Sequence, residues 1–273
     1  MTLPLLPTVQ LGSTAITRLI VGGNPFRAYS HRSPELDAEM RCYHTPEKVL
    51  ETLHHCQHHG LNSMLMRGDN VTFDIIRRFR AQGGTLHWIA QSAGEAPDKI
   101  ANIRTMAEYK PVAIYLHGSE TDRLWKLGQI DSLLPSLHAI HDLGLPAGLC
   151  SHMPEVLRYA VEKNWPVDFF MTCFYNISKI ERQSMLSGGK FVQEPFDDPD
   201  REIACEFIRS TPKPCLAFKI LGAGRKCDTP EDVRAAFEFA WARIKKNDAV
   251  VVGMMQRDMD QVAHNATIVR ALA

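Results

Sequence analysis

The sequence predicts an α/β chain folded as a single (β/α)8 TIM barrel spanning residues 1–273. Three observations predict it. Eight short, mostly continuous apolar runs recur at regular spacing, as strands buried on both faces of a parallel sheet do. Amphipathic segments with readable helix starts separate them. Eight such units fill a chain of 273 residues with no linker rich in Pro, Gly or Ser, which favours a closed barrel over a doubly wound sheet.

In chain order, residues 8–17 (TVQLGSTAIT) read as a hairpin turning at Gly12-Ser13, ahead of the first barrel strand. The barrel strands are expected at residues 18–23 (RLIVGG), 61–66 (LNSMLM), 86–90 (LHWIA) and 112–117 (VAIYLH). They continue at 146–150 (PAGLC), 167–172 (VDFFMT), 215–220 (CLAFKI) and 249–253 (AVVVG). Thr45-Pro46 and Thr229-Pro230 each set a capping hydroxyl before a proline at the first helical position. Asp198-Pro199 reads the same way, and Gly60, Gly83-Gly84 and Gly144 stand where helices stop. Residues 26–44 and 173–199 read as long loops, and long loops after barrel strands are where sites are built.

Composition narrows the function classes. With 31 basic and 31 acidic residues there is no charge excess to hold nucleic acid or a membrane surface. No run approaches the ~20 apolar residues of a membrane span, and the N-terminus lacks the pattern of a signal peptide. Seven cysteines with no C-x-x-C pair suit reduced thiols, so a cytoplasmic location is expected. A small-molecule substrate is the expected partner; oligomeric state is not legible.

Several segments, in order, resemble the aldo/keto reductases. These are residues 10–24 (QLGSTAITRLIVGGN), 59–62 (HGLN), 114–118 (IYLHG) with Asp122, and 144–152 (GLPAGLCSH) with Pro154-Glu155. Asp168 through Tyr175-Asn176, and Val252-Gly253 with Gln261 and Asn265, continue the series. The resemblance implies the same barrel, with the hairpin plugging its bottom. It does not carry the chemistry over. The family's Asp, Tyr and Lys positions fall on Leu65, near Asn70, and on Gln91 or Ser92; of the tetrad only the His is kept, as His117. The nicotinamide contacts become Cys150-Ser151 and Met171, and Met254-Met255-Gln256 replaces the basic residues at the adenosine phosphate, with Arg257 beside them. NADP is therefore not expected.

Barrel active sites lie at the C-terminal strand ends. There the sequence sets Asn24, Arg27, Arg67, Asp69, Gln91, His117, Glu120, Cys150, His152, Cys173, Asn176 and Lys219, a polar and ionisable set. In one reading His117, His152 and Glu120 hold a divalent metal (zinc, manganese or iron) that polarises a substrate oxygen. In the other no metal acts: His117 is the acid or base, Arg67 and Lys219 stabilise an oxyanion, and Asp69 completes the catalytic set. Asn24, Arg27, Gln91, Glu120 and Asn176 are the expected substrate contacts.

Lys219 could form a Schiff base, but pairing with Asp69 or Glu120, or an oxyanion role, fits better. The turn Leu221-Gly-Ala-Gly-Arg225 suits a phosphate or a plain tight turn. The histidines at 54, 55, 58 and 59 make i, i+4 pairs, but at a helix C-terminus on the barrel's far face they read as dipole partners. Cys150 and Cys173 read as small apolar fillers, and residues 197–200 (DDPD) as a helix start.

The leading expectation is acid/base chemistry on a small polar carbonyl or polyhydroxy, sugar-like compound, as an isomerase, epimerase or lyase without nicotinamide. The alternatives are a divergent NAD(P)H-dependent oxidoreductase and a non-catalytic binding protein.

Overall fold

The computed structural model describes residues 2–181 and 190–272. A two-stranded antiparallel hairpin, β1 (Thr8–Leu11) and β2 (Thr14–Thr17), opens the chain. Eight parallel strands then close into a barrel: β3 (Leu19–Gly22), β4 (Ser63–Arg67), β5 (His87–Gln91), β6 (Ala113–Leu116), β7 (Ala147–Ser151), β8 (Phe169–Cys173), β9 (Cys215–Phe218) and β10 (Ala249–Gly253). β10 pairs with β3, Val250 opposite Leu19, and that pairing completes the ring. All eight strands lie within about two residues of the expected apolar runs.

The strands are apolar throughout because they are covered twice. Ile20, Leu65, Ile89, Ala113, Cys150, Phe169, Met171, Leu216 and Val251 alternate inward and fill the barrel. Their neighbours in sequence, such as Met64, Trp88, Ile114 and Phe170, face outward onto the helices. The hairpin sends Val9, Leu11 and Ile16 into the inner cluster, so it plugs the barrel bottom as expected. Its turn fixes one residue type: Gly12 sits at φ +59°, and a Cβ there would lie 2.5 Å from Cγ of Pro146.

The helices begin as read. In α2 (Pro46–His58) the Thr45 hydroxyl accepts from the Lys48 amide, and in α9 (Pro230–Trp241) Thr229 and Asp232 form a reciprocal capping box. The other layers are α3 (Asn70–Ala81), α4 (Lys99–Glu108), α5 (Gly118–Lys126), α6 (Leu134–Asp142), α7 (Pro154–Glu162), α8 (Pro199–Ser210) and α10 (Gln261–Leu272). Among the described residues, no helix is long and apolar enough to cross a membrane.

Two expectations need correction. Residues 26–44 are not a plain loop: they hold α1 (Pro34–Tyr43), capped by Ser33 with Pro34 at its first position. Leu36, Met40 and Tyr43 make a short half-buried stripe at i, i+4, i+7, and Leu36 and Met40 face the mouth cavity; Asp37 is the one fully buried residue of the helix. α8 starts at Pro199 as expected, but Asp198 is helical in its own backbone and makes no cap hydrogen bond; its carboxylate reaches Lys226 instead. Of the expected loop at 173–199, residues 182–189 lie outside the described residues.

Candidate active site

A cavity of about 440 Å³ opens at the C-terminal mouth of the barrel. Side-chain alternation decides what lines it: the residues two beyond Ala113 and Gly148, and two further again, point the same way. Thus Tyr115 and His117 follow one another up the wall from β6, and Cys150 and His152 from β7. Gln91 at the end of β5 and Lys219 after β9 border the same space, with Asn24 above β3.

His152 is the most constrained of these. Its Nδ1 lies 2.7 Å from Oδ2 of Asp122 on α5, and its backbone N–H donates to the same carboxylate. Ser151 and Ser178 donate their hydroxyls to Asp122 at 2.5 Å each. Both His152 and Asp122 are buried, with side chains 7% and 4% exposed. Burial alone pushes the Asp122 carboxyl up, but the adjoining imidazole and three side-chain hydrogen bonds overcome it and hold the pKa below its ordinary value. The result is an imidazole fixed in orientation by an ionised carboxylate, its ring edge against Phe218 and its position on the cavity wall.

Lys219 lies in the left-handed region at φ +60°, a conformation that costs a non-glycine residue about 1 kcal/mol or more. His31 and Ala223, which also border the cavity, share that feature at φ +57° and +52°. The turn after Lys219 carries Gly222 at φ +59° and Gly224 at φ +84°.

The remaining expected residues are placed less centrally. Asp69 caps α3 through the Thr72 amide and holds both Arg27 and Arg67, so its oxygens serve the scaffold. Arg67 is buried, paired with Asp69 and Glu95, and opens with Arg27 and Gln91 on a narrow recess beside the main cavity. Glu120 is turned to Arg123 at 3.0 Å and to Lys99 at 3.7 Å. Asn176 accepts from the Ser178 amide and shapes a short turn at Ile177–Lys179. Asp69, Glu120 and Asn176 do not border the cavity, and Asp69 and Glu120 are engaged by residues other than Lys219.

The expected metal set is not assembled. Among the described residues, the three-donor cluster with ligand atoms within 4.8 Å of one another is His55, His59 and Asp260, not His117, His152 and Glu120.

Sequence reading named Asp122 for its motif without giving it a role, and passed over Tyr115, His31 and Glu194. Tyr115 stands two residues before His117 on one strand face, so the period of two was its available signal; its hydroxyl donates to Gln91 Oε1 at 2.7 Å. His31 pairs with Glu194 at 2.8 Å across 163 residues, a contact no local pattern announces. Cys150 and Cys173 are buried with thiol pKa values pushed up by desolvation, Cys173 to about 12, as fits fillers and not nucleophiles.

No protein-family model and no curated protein matches the chain. Among solved structures it is similar to a truncated form of 3-deoxy-D-arabino-heptulosonate 7-phosphate synthase from Thermotoga maritima. That match has TM-score 0.55 and 13% identity over 98% of this chain and 91% of the other. It is also similar to dihydropteroate synthase from Xanthomonas albilineans in complex with 7,8-dihydropteroate, at TM-score 0.54 and 15% identity over 97% of each chain. Neither is an aldo/keto reductase. At these identities the likeness carries the fold and stops there.

Proposed function

We propose that the chain is an enzyme that moves a proton next to the carbonyl of a small polar or polyhydroxy, sugar-like substrate, with His152 as the base. The observation that carries this is the buried Asp122 carboxylate bound to His152 Nδ1 at the wall of a 440 Å³ cavity. A base so oriented does not have to be reorganised at the moment of reaction. His152 takes the proton from carbon, and the electron pair moves onto the carbonyl oxygen. The Lys219 ammonium stabilises the oxyanion that forms. His117 returns a proton: at the former carbonyl carbon for isomerisation, as the hydroxyl on the deprotonated carbon passes its proton to the oxyanion and becomes the new carbonyl; at the same carbon from the other face for epimerisation, as the oxyanion reverts to the carbonyl; or to a hydroxyl leaving from the next carbon for elimination. Asn24 and Gln91 hold substrate hydroxyls. Arg67 contributes from the side recess as a fixed positive charge, held in place by Asp69.

The chain is then one barrel domain whose scaffold resembles that of the aldo/keto reductases in its ordered motifs and the hairpin beneath the barrel, and its chemistry does not use NADPH. Deuterium wash-in tests it. A panel of aldoses, ketoses and hydroxy acids is incubated with enzyme in D2O, and proton spectra are followed at the carbon beside the carbonyl. Exchange with at least one member, lost in His152→Ala, is the expected result. No exchange with any, or equal exchange by the variant, overturns the reading.

A second reading, hydride transfer from NAD(P)H, gains one observation: Tyr115 supplies a phenol on the same face as His117. It requires that NADPH quench tryptophan fluorescence or raise the melting temperature; a flat titration at millimolar cofactor would end it.

A further inference from the structure

Outside the lining of the mouth cavity, three side chains converge from the C-terminal end of α2 and from the residue before α10. His55 on α2 and His59, which caps its C-terminus, are one turn apart: the His59 amide donates to the His55 carbonyl at 3.0 Å, and the two rings lie 4.4 Å apart, centroid to centroid. Asp260, which directly precedes α10, brings its carboxylate to His55 Nε2 at 2.9 Å, across 205 residues of sequence. One ligand atom from each residue lies within 4.8 Å of the others.

We propose that His55, His59 and Asp260 form a divalent transition-metal site of the zinc class, which clamps α2 to α10 and closes the seam of the barrel. Zinc takes imidazole nitrogen and carboxylate oxygen at about 2.0–2.2 Å, so tetrahedral donors stand roughly 3.3 Å apart. The three donors already lie within reach of that spacing, and small side-chain rotations complete it, with water in the fourth position. Two nitrogens and one oxygen suit zinc, nickel or copper better than the hard cations magnesium and calcium. A supporting shell is in place: the Ala263 amide and the Gln256 side-chain amide each donate to Asp260 at 2.9 Å and fix its carboxylate. The nearby Arg270 guanidinium is spent on the carbonyls of Pro4 and His59, which draws α10 to the same end of α2. Asp260 and His55 are 47% and 32% exposed, so an ion has a path in.

A helix-terminal histidine pair alone is a dipole partner, as the sequence suggests. The aspartate from α10 is what changes the chemistry, and it is invisible to local pattern. None of the three residues lines the mouth cavity, although Met259 and Gln261 on either side of Asp260 do.

Zinc titration of the chelator-stripped, tag-free full chain by calorimetry tests it. The expected result is one zinc per chain at micromolar concentration, with proton release, weaker binding as pH falls through the histidine range, and no response to magnesium. Melting temperature should rise by about 5 °C at a hundredfold excess over Kd. Asp260→Asn should weaken binding about tenfold or more, His55→Ala/His59→Ala should abolish it, and His54→Ala should leave it unchanged. Failure to saturate below millimolar zinc overturns the site. So does an unchanged titration in the double histidine variant, because the zinc is then held elsewhere.

Discussion

Asp122 accepts hydrogen bonds from His152, Ser151 and Ser178 while buried inside the barrel wall, and its chemistry is set by that number of donors. A carboxylate whose pKa is depressed on folding contributes stability above its unfolded value near 4 and loses it as pH falls through the lower, folded value. Removing the carboxylate leaves two hydroxyls and an imidazole without their acceptor. Asp122→Ala should therefore cost about 3 kcal/mol in urea denaturation at pH 7. A cost below about 1 kcal/mol would show that these groups find other partners. His44 makes the opposite case. It is buried with neither ring nitrogen hydrogen-bonded, and desolvation lowers its pKa to about 4. The unfolded chain binds its proton near pH 6.5, so stability should decline by on the order of 3 kcal/mol as pH falls from 6.5 to 4. His44→Phe should flatten that part of the profile in a melting series; an unchanged slope would refute the assignment.

The hairpin is the element whose role is most open to test. Ile16 is fully buried in the inner cluster beneath the strands, where a smaller side chain leaves a cavity that the closed ring cannot collapse around. Ile16→Ala should cost about 2–5 kcal/mol by denaturant titration. A loss under about 1 kcal/mol would make the hairpin an appendage and not a plug. The capping box at α9 is a smaller contribution: Thr229→Ala should cost about 1 kcal/mol, read as a fall of a few degrees in melting temperature. At this scale the sequence was informative wherever burial was two-sided. Runs such as AVVVG at β10 announce a strand covered on both faces, and Thr-Pro pairs announce α2 and α9. α1 is less legible because its apolar stripe, Leu36, Met40 and Tyr43, is short and only half-buried, although Ser33-Pro34 marks its start.

The whole molecule separates two kinds of information. Closure of the barrel follows from eight apolar runs, because each strand must be buried on both sides wherever it lies in the ring. The site depends instead on which side chains meet across the ring, and that needs distance. His117, Gln91, His152, Asn24 and Lys219 could be placed at the mouth from strand ends alone. The use of Asp69 as a helix cap, and of Asp122 as the partner of His152, came from contacts over helix starts that strand periodicity does not encode. The same holds for Asp260 beside His55, where sequence separation hides a pair that the closed ring brings together. If the Asp122–His152 pair makes the mouth an acid/base centre, removing the charge of the carboxylate slows turnover. With the substrate found by deuterium wash-in, kcat is measured for the wild type and for Asp122→Asn, which keeps the shape and removes the charge. The expected result is a fall in kcat of about 100-fold or more, with KM little changed and the chain still folded. An Asp122→Asn enzyme that turns over within a few-fold of the wild type would contradict it.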